Sequence, residues 1–198
     1  MSTYRTFIAI ELPQHTRTAL ISLQHNLRRE VGETVFRWVR PENFHLTLVF
    51  LGEVPAEQIP ELAEALHAVA YEYSPFTLGV QGIGGFPNLK WPRVLWTGFN
   101  DSLGILTKLH KTLGPVLLSL GFPPEARPYT PHLTLAYAHK RAASREVKRA
   151  GMLLRRLQID EVDQFGVSSI SLMRSQLQPG GPVYTQLAQA PLVAVPER

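Results

Sequence analysis

An imidazole and a hydroxyl two residues apart occur twice in the same sequence context. Residues 40–50 and residues 127–137 both read Arg-Pro-x-x-x-His-Leu-Thr-Leu-x-aromatic. The polar pairs inside these copies are His45 with Thr47 and His132 with Thr134. A histidine ring titrates near pH ~6.5, so one ring can be neutral while a second ring is charged. Two such rings could take a proton from a nucleophile and give one to a leaving oxygen, while the hydroxyls donate hydrogen bonds to anionic oxygens.

Each copy alternates polar and apolar residues, which is the pattern of a half-buried strand. Side chains at i and i+2 share a strand face, so the imidazole and the hydroxyl should point one way and the leucines the other. A third His-x-Thr, at His110 and Thr112, lies in a segment with helical periodicity. On a helix, residues two apart do not face each other, so we expect this third copy to form no site.

The rest of the chain mixes helical and strand-like segments. Helices are predicted at residues 13–31, 55–73, 102–120 and 142–157. Strands outside the motifs are predicted at residues 4–12, 36–39, 76–80, 94–99, 163–176 and 183–187. Each half then has the order helix, His-x-Thr strand, helix and further strands. This order favours a duplicated α+β unit with strands in the middle and helices outside.

Three local patterns add detail to this outline. The Pro- and Gly-rich residues 178–182 predict a hairpin turn between the last two strands. The glycines of residues 82–85 predict a turn rather than a phosphate cradle, because the Gly-Lys-Ser/Thr ending of a P-loop is missing. Residues 140–156 form a basic amphipathic helix, which is either a solvated face or a contact for a phosphate backbone.

Composition limits the classes of protein that fit. The 198 residues suit one domain, residues 1–198, built from two interleaved repeat lobes that carry the motifs at 45–48 and 132–135. The absence of cysteine rules out disulfides, thiolate metal sites and a cysteine nucleophile. The N-terminus lacks a signal-peptide pattern and no apolar run is long enough to span a membrane, so we expect a soluble cytoplasmic protein without membrane contact. We also expect a monomer. A net charge of +4 permits a phosphate-bearing partner.

The paired motifs suit some chemistries better than others. A 2′,3′-cyclic phosphate suits catalysis in which one imidazole takes a proton from the nucleophile and the other gives one to the leaving oxygen. Such a phosphate is strained, carries its own leaving group and needs no metal. A metal site is the alternative for paired histidines, but Glu42 is the only acid near either motif and the pair alone is an incomplete zinc site. No serine has the context of a nucleophile elbow.

The two motifs resemble those of the 2H phosphoesterase superfamily, which is named for two His-x-Thr/Ser motifs. Within it the chain is similar to the RNA 2′,3′-cyclic phosphodiesterases, also called 2′-5′ RNA ligases of the LigT/ThpR type. The resemblance covers nearly the whole chain. Its matching segments are residues 5–13, 43–52, 85–96, 127–136 and 175–184.

The resemblance implies an α+β fold, bilobal, with two pseudo-symmetric halves of antiparallel sheet, helices outside and a central cleft holding both motifs. It implies that a 2′,3′-cyclic phosphate end of RNA or of a nucleotide is opened to a 2′-phosphate, without metal or cofactor. His45 corresponds to the acid that protonates the departing O3′, and His132 to the base that activates water. Sequence symmetry alone does not fix these roles.

One position departs from the family pattern. Members often carry arginine five residues after the second histidine, where it helps to hold the phosphate, and this chain has Tyr137. The replacement is then the Tyr137 hydroxyl or another cation, with Arg127 and the basic helix as candidates. Three other functions stay open: ligation to a 2′,5′ linkage as the main role, a non-catalytic nucleotide- or RNA-binding module, and hydrolysis of a small nucleotide or ADP-ribose cyclic phosphate.

Overall fold

The structure is a computed structural model that describes residues 2–194, so the predicted domain of residues 1–198 extends beyond it at both ends. The strands are β1 (Thr3–Glu11), β2 (Phe36–Trp38), β3 (His45–Pro55), β4 (Phe76–Phe86), β5 (Val94–Asn100), β6 (Leu133–Ala138), β7 (Glu161–Val167), β8 (Ser169–Gln178) and β9 (Gly181–Pro191). The helices are α1 (Gln14–Val31), α2 (Ile59–Ala70), α3 (Ile105–Ser119) and α4 (Ser144–Leu154). Every predicted helix is present, with its ends moved by a few residues.

The strands form two antiparallel sheets. One sheet has the order β3-β1-β8-β9 and the other has the order β2-β6-β5-β4-β7. The series β3-β1-β8-β9 matches the series β6-β5-β4-β7, with β2 added beyond β6. The two motif strands therefore take corresponding places, and they contact each other between the sheets. The predicted α+β class, with two antiparallel halves and helices outside, is confirmed.

The helices cover the outer faces of the sheets in an exchanged order. Helix α2 packs on β8 and β9, and α3 packs on α2 and β3. Helix α1 packs on β7, and α4 packs on α1. On α1, Leu20, Leu23 and Leu27 recur at helical spacing, so they lie on one side of the helix as an apolar stripe. This stripe is buried. Helix α1 follows a strand of one sheet but covers the other, so neither half is continuous in sequence.

The prediction of one strand over residues 163–176 is wrong. Strand β7 ends at Val167 and belongs to the five-stranded sheet, whereas β8 begins at Ser169 and belongs to the four-stranded sheet. The chain changes sheets at Ser168, whose carbonyl accepts a hydrogen bond from the amide of Leu192 at 2.8 Å. The glycine near this crossing, Gly166, lies inside β7 and not at Ser168, so residue propensities do not locate the change of sheet. The hairpin turn predicted at residues 178–182 is confirmed.

The turn predicted at residues 82–85 is also wrong. Strand β4 continues through these residues to Phe86, with a bulge opposite β5. Gly82 has a φ of 69°, a conformation that glycine adopts without strain. The indole of Trp96 lies where a Cβ on Gly84 would stand. These glycines therefore serve a strand bulge and a close ring contact, and not a turn.

Candidate active site

The two motifs alternate as predicted. His45 is the first residue of β3, and His132 immediately precedes β6. The motif leucines are all buried, while the histidines and threonines are half-buried. The buried leucines are Leu46, Leu48, Leu133 and Leu135. This alternation places an imidazole and a hydroxyl from each strand on the inner face, where both pairs line one cavity of about 600 Å³.

Both imidazoles are held by the same backbone contact. Nδ1 of His45 lies 2.8 Å from the carbonyl oxygen of Asn43, and Nδ1 of His132 lies 2.7 Å from that of Thr130. A carbonyl oxygen can only accept, so Nδ1 carries the proton in each ring. This contact leaves Nε2 of each ring available to the cavity, as a base when the ring is neutral and as an acid when it is charged.

Aromatic side chains surround each imidazole. The His45 ring lies 4.8 Å from the ring centre of Phe7 and 4.9 Å from that of Tyr184. The His132 ring lies 4.9 Å from the ring centre of Phe86 and 6.0 Å from that of Trp96. The rings are therefore fixed by packing as well as by hydrogen bonds.

Burial lowers the pKa of His45 to about 4. The hydrogen bond to the Asn43 carbonyl opposes this shift, while the positive charges of Arg17 and His132 add to it. Removal of the ring from water disfavours its charged form, which is why burial is the largest cause. His45 is accordingly neutral near pH 7 in the free protein.

A β-bulge follows the threonine of each motif. In the first copy, Ala9 pairs with Thr47 and Ile8 pairs with Val49, so Leu48 is the extra residue. In the second copy, Trp96 pairs with Thr134 and Leu95 pairs with Ala136, so Leu135 is the extra residue. An extra residue reverses the alternation of the strand beyond it.

The bulges turn the last residue of each motif toward the cleft. Phe50 and Tyr137 would share a face with the buried leucines in a regular strand, but Phe50 is 55% exposed and Tyr137 is 40% exposed. Both rings line the same cavity as the histidines. Arg37 on β2 is the cross-strand partner of Tyr137 on β6. The Arg37 guanidinium lies 5.3 Å from the centre of the Tyr137 ring.

The predicted substrate-binding residues are separated. Tyr137 lies in the cavity that holds both histidines, whereas Arg127 lies in a neighbouring cavity of about 540 Å³. The two cavities meet at Thr47, Phe50 and His132, which line both. The basic helix α4 contributes no residue to either cavity, and it packs on α1.

Three arginines that the sequence reasoning missed line the histidine cavity. They are Arg5, Arg37 and Arg40, and none of them has an ion-pair partner within residues 2–194. Arg40 could have been found, because it opens the first copy of the motif as Arg127 opens the second. Arg37 lies outside the repeat and gives no such signal. We refer to this cavity as the cationic cavity.

The third His-x-Thr diverges as expected. His110 and Thr112 lie on α3, and the His110 ring stacks on Tyr129 with ring centres 4.2 Å apart and planes at 7°. The Thr112 hydroxyl instead bonds the hydroxyl of Tyr73 at 2.7 Å. His110 nevertheless lines the second cavity, which its sequence context did not indicate.

Two negative findings concern the described part of the chain. Within residues 2–194, no three side chains of histidine, cysteine, aspartate or glutamate come together as a metal site would require. None of the helices in this range is long and apolar enough to cross a membrane.

Two antiparallel sheets with one His-Thr strand each, both facing one cavity, define a two-histidine phosphoesterase. The chain belongs to the LigT-like phosphoesterase family, whose model matches residues 10–96 and 101–184.

Curated relatives are named RNA 2′,3′-cyclic phosphodiesterase. The protein of Methanothermobacter thermautotrophicus is 33% identical over 92% of this chain and 96% of its own length. The protein of Aeropyrum pernix is 37% identical over 81% of this chain and 90% of its own length.

Solved structures share the fold. A protein of Thermus thermophilus superposes with a TM-score of 0.78 at 31% identity, covering 95% of this chain and 97% of its own. Escherichia coli LigT, solved with 3′-AMP, superposes with a TM-score of 0.74 at 27% identity, covering 98% and 100%.

Proposed function

We propose that this protein is an RNA 2′,3′-cyclic phosphodiesterase, in which His45 and His132 transfer the protons. One observation carries the proposal: both rings give Nδ1 to a backbone carbonyl and line one cavity with their Nε2 atoms available. The names of the relatives support the substrate class. The solved complexes of Escherichia coli LigT with 3′-AMP and with phosphate support a site that accepts phosphate groups.

The reaction requires that one proton be removed from the attacking water and that another be delivered to the departing O3′. The neutral imidazole removes a proton from water as the water oxygen bonds to phosphorus. The bond between phosphorus and O3′ breaks, and the charged imidazole gives its proton to that oxygen. The products are a 2′-phosphate and a 3′-hydroxyl, and the two rings have exchanged protonation states.

The state of His45 constrains the assignment of roles. The family resemblance makes His45 the acid, but burial holds this ring neutral near pH 7 in the free protein. An anionic phosphate between the rings favours their charged forms and raises the pKa of His45. If His45 is the acid, substrate binding must therefore be accompanied by uptake of a proton.

The threonines and the cations would stabilise the phosphate. Thr47 and Thr134 stand one on each motif strand, so their hydroxyls can donate to different phosphate oxygens. Arg37 also lines the cationic cavity, and it lies beside Tyr137, the position at which family members often carry arginine. We propose that Arg37 supplies the positive charge on that side, and that Arg127 contacts the substrate from the neighbouring cavity.

The chemistry is proposed to need no metal. The two imidazoles account for both proton transfers, and the described residues offer no cluster of metal ligands beside them. Water would be activated by an imidazole instead of by a bound cation.

Product analysis tests the proposal. An oligonucleotide with a 2′,3′-cyclic phosphate end is incubated in EDTA and heavy-oxygen water, with a 5′-hydroxyl oligonucleotide also present. The expected product has a 2′-phosphate carrying one heavy oxygen and a 3′-hydroxyl. A 3′-phosphate product or the absence of turnover would overturn the proposal, and a dominant 2′,5′-joined product would make ligation the main reaction.

A further inference from the structure

We infer that a row of cations beside helix α4 binds the RNA strand on the 5′ side of the cyclic phosphate. The row consists of Arg93, Lys148 and Arg155, and we refer to it as the phosphate track. This inference rests on the proposed function, because the strand is the remainder of the RNA whose end enters the cationic cavity. The track would contact phosphate groups and would therefore have no base preference.

Positive charge is concentrated in and around α4. Residues 140–156 hold seven of the 20 lysines and arginines but one of the 16 acids, and without them the chain would have more acids than basic residues. The one acid, Glu146, accepts a hydrogen bond from the amide of Ala143 at 3.2 Å in the first turn of the helix. All seven basic side chains are exposed, and none has an ion-pair partner within residues 2–194. This surface therefore attracts an anionic partner.

The connection between β4 and β5 packs against one side of α4. A Cβ on Gly151 would meet the carbonyl oxygen of Leu89 and the ring of Pro92, so the helix and the connection are in close contact there. Residues three and four positions apart are neighbours on a helix surface. Lys148 and Arg155 stand at these positions from Gly151, and the Arg155 amide still donates to the Gly151 carbonyl at 3.1 Å. Both cations therefore lie on the side of α4 that faces the connection.

The indole of Trp91, in the same connection, brings two of the cations together. The Lys148 ammonium lies 5.1 Å from the centre of this ring, and the Arg93 guanidinium lies 5.7 Å from it. The face of an indole attracts each cation, but the two positive charges repel each other. In the described part of the chain, neither side chain has an ion-pair or hydrogen-bond partner. A phosphate group beside the two cations would offset their repulsion.

Arg93 joins the track to the active site. Its side chain lines the cavity of about 540 Å³ to which His132 also belongs. Its amide donates to the carbonyl oxygen of Phe86 at 2.7 Å, and the Phe86 ring lies 4.9 Å from that of His132. The track therefore begins at the second motif and runs outward over Trp91 to α4.

A strand of RNA is the occupant that the surroundings of the track favour. A basic amphipathic helix can also bind anionic lipid, but it then inserts its apolar face among the headgroups. The apolar side of α4 is not free for this, because Val147, Ala150 and Leu154 are buried. An RNA backbone needs only the exposed charges, and its end is already placed at the cleft from which the track starts.

The test compares substrates of different length. One is adenosine 2′,3′-cyclic phosphate without a 5′ phosphate, and the other is an RNA of about a dozen nucleotides that ends in the same group. Wild-type protein should have the higher kcat/KM for the RNA. Lys148→Gln and Arg155→Gln should each lower that value roughly 5-fold at 0.1 M salt, as expected for the loss of one contact to a single strand. Neither variant should change kcat/KM for the nucleotide.

Arg149→Gln is the matched control. Arg149 is an exposed cation on the same helix, but it lies two residues from Gly151 and therefore on the side away from the connection. It should leave both kcat/KM values unchanged. Each track variant should also make the dependence of log kcat/KM on log salt shallower by about 0.7 for the RNA, and Arg149→Gln should not. Circular dichroism establishes that each variant is folded.

Three results would overturn the track. One is an equal kcat/KM of wild-type protein for the nucleotide and the RNA. Another is an equal loss in Lys148→Gln and Arg149→Gln, which would indicate diffuse attraction by the whole helix. The third is unchanged RNA kinetics in Lys148→Gln together with weaker binding to vesicles of phosphatidylserine, which would make the surface a membrane contact.

Turnover of neither substrate would count against the proposed function instead. In that event, the fluorescence anisotropy of a labelled RNA that ends in a 2′-phosphate decides. Weaker binding by Lys148→Gln than by Arg149→Gln supports the track, and equal binding by the two variants overturns it.

Discussion

His45 and His132 are the side chains on which the proposed chemistry depends most. We predict that His45→Ala and His132→Ala each lower kcat/KM on the order of 10²- to 10⁴-fold, because each removes one proton-transfer group. Steady-state hydrolysis of a cyclic-phosphate oligonucleotide measures the effect. His25→Ala is the matched control, since His25 is exposed on α1 and lies in neither cavity. Near-wild-type activity of either cleft variant, folded by circular dichroism, would refute the two-histidine mechanism.

The threonine hydroxyls should contribute less than the imidazoles. Thr47→Val and Thr134→Val keep the shape of the side chain and remove its donor. We expect each to lose a hydrogen bond to a charged oxygen, worth roughly 1.5–3 kcal/mol. The rate should therefore fall by about 10- to 150-fold without vanishing. Thr107→Val, at an exposed site on α3, is the control, and unchanged kinetics in both cleft variants would mean that the hydroxyls are structural.

Burial of His45 also predicts how stability depends on pH. The fold lowers the pKa of His45 to about 4, whereas the unfolded ring has a pKa of 6.5. Between these values the unfolded chain binds more protons, so the unfolding free energy falls as the pH falls through this window and levels off below about 4. His45→Gln removes this titration.

Urea unfolding at a series of pH values measures the difference. From about pH 7 to about pH 4, wild-type protein should lose roughly 2–3 kcal/mol more unfolding free energy than His45→Gln. Parallel curves for the two proteins would show that the buried ring is not held neutral.

Single residues were predictable from the sequence only where a repeat marked them. The matched contexts predicted both histidines and both threonines as candidate site residues, and the alternation of the strands predicted that they share a face, as they do around the cationic cavity. The contacts that fix the rings could not be found, because they use the backbone carbonyls of Asn43 and Thr130. Arg37 could not be found either, because only the pairing of β2 with β6 brings it beside Tyr137.

A substitution on strand β4 can test the packing that supports the second motif. The Trp96 indole occupies the space beside Gly84, and Trp96 and Phe86 both pack near His132. We predict that Gly84→Ala destabilises the protein by roughly 1–3 kcal/mol, because the new Cβ must displace the indole. Urea unfolding measures the loss.

A glycine on the neighbouring strand provides the control for this change. Gly166 lies on β7, where an added Cβ meets no atom within 4 Å, so Gly166→Ala should cost much less. If Gly84→Ala and Gly166→Ala have equal unfolding free energies, the Trp96 indole is not confined by β4.

Strand ends and bulges were the least predictable elements. Residues 163–176 carry apolar side chains on both sides of Ser168, so periodicity joined two strands that belong to different sheets. The bulges at Leu48 and Leu135 have no glycine or proline to mark them. Strict alternation would bury Phe50 and Tyr137, and only the register of the neighbouring strands shows that both rings face the cleft.

The whole molecule combines two similar halves that exchange segments. The order of helices and motif strands predicted a duplicated α+β unit, and the two matching strand series agree with that prediction. The exchange of α1 between the halves could not be read from local patterns, because an amphipathic helix does not specify which sheet it covers. We propose that the halves form one domain around a shared site, since both contribute a histidine to the cationic cavity.

The dependence of kcat/KM on pH, measured in EDTA, tests the shared site most directly. One imidazole must be neutral and the other charged, so the rate should rise and then fall as the pH increases. The apparent pKa values of the rise and of the fall belong to the two histidines as a coupled pair. One of these values should reflect the lowered pKa of His45. A flat profile across the range in which histidine titrates would contradict the mechanism. Activity that is lost in EDTA and restored by zinc or manganese would replace the acid/base pair with a metal site.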